Sequence, residues 1–146
     1  MPFSSNVPPF TVNETITWDD DGLEGYWPVF TVTGDVLVRI VPVCKVSLAS
    51  AAAAELMMGI EYKLDAMIAT TTATDIDANE VWIDGTPDSF IELESDWFAV
   101  SNSNDIRLWQ DDQIDSGSIA FYCEWKPLSD GSSVVAANTV FVEVVA

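Results

Sequence analysis

Two segments alternate in hydrophobicity with a period of two residues, and they constrain the fold more than any other feature of the chain. In residues 36–46 the even positions Val36, Val38, Ile40, Cys44 and Val46 are apolar, while the odd set carries Arg39 and Lys45. In residues 118–128 the odd positions Ile119, Phe121, Cys123 and Trp125 are apolar, while the even set carries Glu124 and Lys126. Strand side chains point alternately to the two faces of a sheet, so each segment reads as a long strand with one buried and one wetter face. Pro42 interrupts the first run, which predicts an edge position or a bulge there.

Shorter strand patterns fill the rest of the chain. Trp27-Pro28 leads into a strand at 29–33, and further strands are predicted at 56–63, 81–83, 90–93, 97–100, 106–110 and 139–145. Turn signals separate them at Asp19-Asp20-Asp21-Gly22, Gly34-Asp35, Asp84-Gly85, residues 101–105, residues 111–117 and Asp130-Gly131. Residues 47–54 have helix propensity but no 3.6-residue period, so they read as a loop. Residues 69–77 read as a Thr- and Ala-rich loop with short β pieces. Eight to ten short strands at this spacing predict an all-β, jelly-roll-like β-sandwich. The 146 residues suit one domain, at 15–146, preceded by an extended arm at 1–14 that contains Pro2, Pro8 and Pro9.

Charge sets the partner classes. Twenty-four acidic residues face five basic ones, Arg39, Lys45, Lys63, Arg107 and Lys126, for a net charge of −19. Such a chain repels nucleic acid and anionic membrane surfaces. High like-sign charge also costs stability unless salt, cations or a basic partner screen it. No run of about 18 apolar residues predicts a membrane span. The N-terminal residues lack a basic region followed by an apolar one, so synthesis in the cytoplasm without secretion is expected. By the same token, the Asn13-Glu14-Thr15 sequon reads as incidental.

The chain has no histidine, which removes Ser–His–Asp and Cys–His catalysis and the usual acid–base residue near neutral pH. A non-enzymatic protein is therefore expected. A carboxylate-pair hydrolase is the weaker reading, and it requires a concave pocket with two carboxyls in unlike surroundings. Asp75, Asp77 and Asn79 match the start of a calcium loop, but Glu80 and Thr86 stand where that loop needs Gly and a bidentate Glu. These three residues are the candidate Ca2+ ligands, with Asp19, Asp20, Asp21 and Glu24 as a second acidic cluster. Both groups also read simply as acidic turns. Cys44 and Cys123 lie on the apolar faces of the two long strands. They are read as buried thiols, or as a disulfide if those strands face each other across the sheets. Of the six tryptophans, Trp82 and Trp125 fit the core. Trp18 and Trp27 flank the acidic turn near the arm and, with Phe3, Pro8, Pro9 and Phe10, are the candidate contacts with a neighbouring subunit.

Three phrases carry a resemblance: Val32-Thr33-Gly34-Asp35-Val36, Phe121-Tyr122-Cys123-Glu124-Trp125-Lys126-Pro127-Leu128, and the run Ala69-Thr70-Thr71-Thr72-Ala73-Thr74-Asp75-Ile76-Asp77-Ala78-Asn79-Glu80-Val81-Trp82-Ile83-Asp84-Gly85-Thr86-Pro87. Over roughly residues 28–137 the chain resembles small proteins encoded among the structural genes of tailed bacteriophages. The resemblance implies a virion component. Head decoration proteins of this kind are β-rich, often trimeric, and sit where capsid subunits meet. The expectation is thus a capsid decoration (cementing) protein on the capsid surface that binds the major capsid protein or another virion protein as a homo-oligomer, a trimer being favoured. The alternatives are a tail or head–tail connector protein and a carbohydrate-binding module on a tail or fibre, the last requiring an exposed line of Trp side chains.

Overall fold

A computed structural model describes residues 8–21, 23–93 and 97–144. These residues form an all-β fold of two antiparallel sheets packed face to face. Ten strands run in order: β1 (Phe10–Asp21), β2 (Gly25–Thr33), β3 (Val36–Ala49), β4 (Glu55–Ile60), β5 (Lys63–Thr72), β6 (Phe98–Val100), β7 (Ile106–Gln110), β8 (Ile114–Pro127), β9 (Ser133–Ala136) and β10 (Val142–Glu143). One sheet has the order β1-β8-β3-β6. The other runs β10-β2-β7-β4-β5, with β9 also pairing β2.

The two alternating segments are the centre of the four-stranded sheet. β3 and β8 pair from Val36↔Pro127 through Arg39↔Glu124 to Cys44↔Ile119. Their inward side chains, among them Val36, Val38, Cys44, Ile119, Phe121 and Cys123, are buried. The other sheet supplies Val29, Phe30, Leu56, Met58, Ile106 and Leu108 from its inner face. The alternation is not strict: Ser118 and Ala120, on the outward parity of β8, are also buried. Val46 shares the parity of Cys44 yet is exposed, because bulges on either side of it shift the pairing with β8.

Pro42 sits where its missing N–H does no harm. Its carbonyl accepts from Trp82 N–H at 3.0 Å. In a strand the N–H and C=O of one residue share a side, so the Pro42 nitrogen also faces away from β8. There β6 has already ended, and residues 76–82 run along the free edge of β3 instead. Leu48 donates to Ile76 O, while Cys44 exchanges hydrogen bonds with Asn79 and Glu80. Trp82 pins this segment. Its ring is fully buried, and its Nε1 donates to Thr71 Oγ1 at 2.8 Å.

Several sequence expectations are corrected here. Residues 10–14, read as arm, form the first part of β1 and pair with residues 121–125 of β8. The 81–83 strand reduces to isolated bridges at Val81, since the segment follows the β3 edge without regular pairing. Residues 90–93 form no strand, and the 139–145 strand contracts to Val142–Glu143 within the described residues. Most of the 69–77 loop is the end of β5 followed by a 3-10 turn at Ala73–Asp75. β9 has no counterpart among the predicted strands.

Candidate functional site

Because the inner face of the four-stranded sheet is apolar, the opposite parity of its strands forms an outer face. β8 presents Tyr122, Glu124 and Lys126 there, and β3 presents Arg39, Val41 and Lys45, while β1 adds a row of exposed Thr and Asn side chains. Three of the chain's five basic residues are thus gathered on one sheet face. Between the rows of Ser118 and Lys126, Glu124 is the one carboxylate among the described outward positions of these strands.

Aromatic rings hold the cations. The Arg39 guanidinium lies 5.1 Å from the Trp97 ring centre, and Lys126 Nζ lies 5.6 Å from the same ring. Lys45 Nζ lies 5.5 Å from the ring of Tyr122, which is 41% exposed. Each such contact contributes about 0.5–1 kcal/mol when exposed. Arg39 also forms an ion pair with Glu124, its direct cross-strand neighbour, with Nε 2.9 Å from Oε1. Both side chains are about a third exposed, so the pair contributes at most about 1 kcal/mol to stability. The consequence that matters is positional. Each of the three cations rests against a ring, so less side-chain entropy is left to lose on contact with a partner.

The acidic residues concentrate elsewhere. At one end of the sandwich the β7–β8 turn brings Asp111, Asp112 and Asp115 beside Asp20 and Glu55. Glu55 N–H donates to Asp111 Oδ1 at 2.7 Å, Ala51 N–H to Asp115 Oδ2 at 2.9 Å, and Gln113 Nε2 to Asp20 O at 3.3 Å. A solvent-open depression at this end is lined by Asp20, Leu23, Gln113, Phe141 and Glu143. Its two carboxylates are both exposed.

A second cavity, of about 240 Å³, opens between the edges of the two sheets. Its walls are Met58, Met67, Ile68 and Phe98, with Arg39 and Asp84 at the rim. One carboxylate and an arginine already engaged by Glu124 do not make an acid–base pair.

The predicted interface residues separate. Phe3 lies outside the described residues. Pro8 is exposed and Pro9 half-buried just before β1, and Phe10 is 55% exposed while stacking on Trp125 at 4.7 Å. Trp18 and Trp27 are not surface contacts. They are 2% and 6% exposed and meet edge to face at 5.9 Å. Both indole N–H groups donate to Gln110 Oε1, at 2.9 and 2.8 Å, and Gln110 Nε2 donates to Asp112 O and Leu23 O. Their position beside an acidic turn suggested surface exposure. The signal that points inward is alternation: Ile16 and Trp18 share a face of β1, and Trp27 and Val29 share a face of β2. Trp97 and Trp109 stay half-buried but on the outer faces of opposite sheets, so the described tryptophans form no exposed line. Trp109 packs with Tyr26, 5.0 Å away, under Arg107.

Asp75, Asp77 and Asn79 lie on the 3-10 turn and the edge-covering segment. Asp77 N–H donates to Glu80 Oε1 at 2.7 Å, and Asn79 adopts φ +70°. Among the described residues, no three His, Cys, Asp or Glu side chains converge to hold a metal ion. Cys44 and Cys123 are free and buried. They sit on adjacent strands of one sheet, with Cys44 opposite Ile119, four residues from Cys123. That offset is about 13 Å, beyond disulfide reach. Burial pushes the Cys123 thiol up to about 12; burial, with Asp77 and Glu80 adding, pushes Cys44 up to about 11. Neither thiol has the electropositive setting of a nucleophile.

No family model matches the chain, and no curated protein or solved structure matches it. Among the described residues, no helix is long and apolar enough to cross a membrane.

Proposed function

We propose that the protein is a non-enzymatic virion structural protein of the head-decoration kind, attached to the assembled capsid through the outer face of its four-stranded sheet. One observation carries this reading: a chain of net charge −19 places three of its five cations on a single sheet face, each against an aromatic ring. Flat, rigid surfaces with aromatic and Arg side chains suit protein docking better than small-molecule binding. The likeness of residues 28–137 to phage structural proteins supplies the particle. A cementing protein stabilises a capsid because it binds the assembled form better than free subunits.

A carbohydrate-binding module has less support, because Trp18 and Trp27 are core residues and Trp97 and Trp109 occupy opposite faces. The test is addition of purified protein to undecorated capsids of the phage that encodes it. Saturable, stoichiometric binding is expected. No binding at any salt concentration would remove the proposal.

A further inference from the structure

We infer that the cationic sheet face receives the acidic end of a second copy of this chain, giving a head-to-tail contact between neighbouring copies. This rests on the reading of that face as a docking surface and names the occupant it takes in free solution, which an assembled capsid displaces from the same face.

Charge decides the geometry. Two molecules of net charge −19 repel, so association has to bring unlike patches together. A symmetric face-to-face contact would set Arg39, Lys45 and Lys126 against the same cations, and like charges in contact cost several kcal/mol. An end-to-end contact would oppose Asp20, Asp111, Asp112 and Asp115 to themselves. The complementary arrangement places the acidic end of one copy on the cationic face of the next. Such a heterologous contact closes into a ring if its rotation allows, or propagates if it does not.

Both surfaces are prepared for it. Asp112 Oδ1 accepts Gln113 N–H at 2.8 Å. This bond, with those to Asp111 and Asp115, leaves the other oxygen of each carboxylate with acceptor capacity. On the opposing side, strands of 12 to 14 residues span about 45 Å, and three long strands with a short fourth are about 15–19 Å wide. That plane is roughly 700–850 Å², against the ~800 Å² that a standard stable interface buries per partner. A sandwich end covers only part of it, so the contact is modest and salt-sensitive.

The test uses the full chain and its mass in solution by analytical ultracentrifugation, at low and high NaCl. One variant reverses the face (Lys45→Glu with Lys126→Glu). The other reverses the end (Asp112→Lys with Glu143→Lys), where exposed Glu143 lies beside Asp20. Circular dichroism confirms that each variant folds, and Glu143→Lys alone serves if the double variant does not. Wild type is expected to self-associate at low salt and dissociate at high salt. Each variant alone should associate at least ~10-fold more weakly. Mixed, they retain one good face and one good end between them, and should recover a 1:1 heterodimer that grows no further. A wild-type monomer in all conditions overturns the inference, as do variants that associate like wild type or a mixture without heterodimer. If wild type is monomeric yet binds capsids through Lys45 and Lys126, only the second-copy occupant is wrong. If self-association holds but capsids are not bound, the proposed function fails instead.

Discussion

Replacing Gln110 with Leu should remove a large part of the protein's stability. Gln110 is 2% exposed, and its single carbonyl oxygen accepts both the Trp18 and Trp27 indole N–H groups. Leu is of similar length though slightly larger, so most of the loss is polar. Two buried indole donors then have no acceptor, at about 1–3 kcal/mol each. The carbonyls of Leu23 and Asp112, near the surface, recover water. The expected loss is about 2–6 kcal/mol, against about 5–15 kcal/mol for a typical domain. Urea unfolding followed by tryptophan fluorescence measures it, as a lower midpoint at unchanged slope. A companion variant, Gln110→Glu, keeps an acceptor. It should therefore lose less stability than Gln110→Leu. A Gln110→Leu loss under about 0.5 kcal/mol would show that this hub does not hold the two indoles.

Four further outcomes follow from the same structure. The thiols of Cys44 and Cys123 should react with a thiol reagent at pH 8 on the order of 100-fold more slowly in the native state than in urea; rapid native labelling would contradict their burial. Because both folded values are raised, the stability they add is full below the ordinary thiol range and is lost as pH rises through about 11 to 12, which an alkaline unfolding series would detect. Gly117 has φ +121°, and an added Cβ would lie 2.8 Å from Leu48 Cα and 2.9 Å from Ser47 O. Gly117→Ala should therefore cost at least ~2 kcal/mol, and a wild-type melting temperature would refute that. Thr71→Val should cost about 1–3 kcal/mol by orphaning Trp82 Nε1, measurable by thermal unfolding; no change would mean that the bond is dispensable.

The legible parts of the fold were those in which burial on one side leaves a period-two trace. β3, β7 and β8 carry that trace, and so did the class of the fold. β1 was half-legible, because Thr11, Asn13, Thr15 and Thr17 look like arm composition when their apolar partners are overlooked. β9 and β10 are short edge pieces whose pairing is dictated by β2 rather than by their own residues. The opposite error at 81–83 has a related cause: a β-rich segment takes hydrogen bonds from the β3 edge without regular pairing. For the site, residue parity already placed Arg39 and Lys45 on one strand face and Lys126 on the wetter face of β8. Sequence could not show that β3 and β8 are neighbours, which merges those faces, nor that Trp97 reaches them from outside β6. Trp18 and Trp27 are core residues despite the acidity around them, because β1 buries the face of Ile16 and Trp18 and β2 the face of Trp27 and Val29.

The cationic face itself is most directly tested by capsid binding of the Lys45→Glu, Lys126→Glu variant against wild type, measured by co-sedimentation with undecorated capsids over a salt series. Wild type should bind to saturation with an affinity that falls as salt rises, and the folded variant should lose binding at every salt concentration. Equal binding by the two proteins would contradict the assignment of this face as the docking surface.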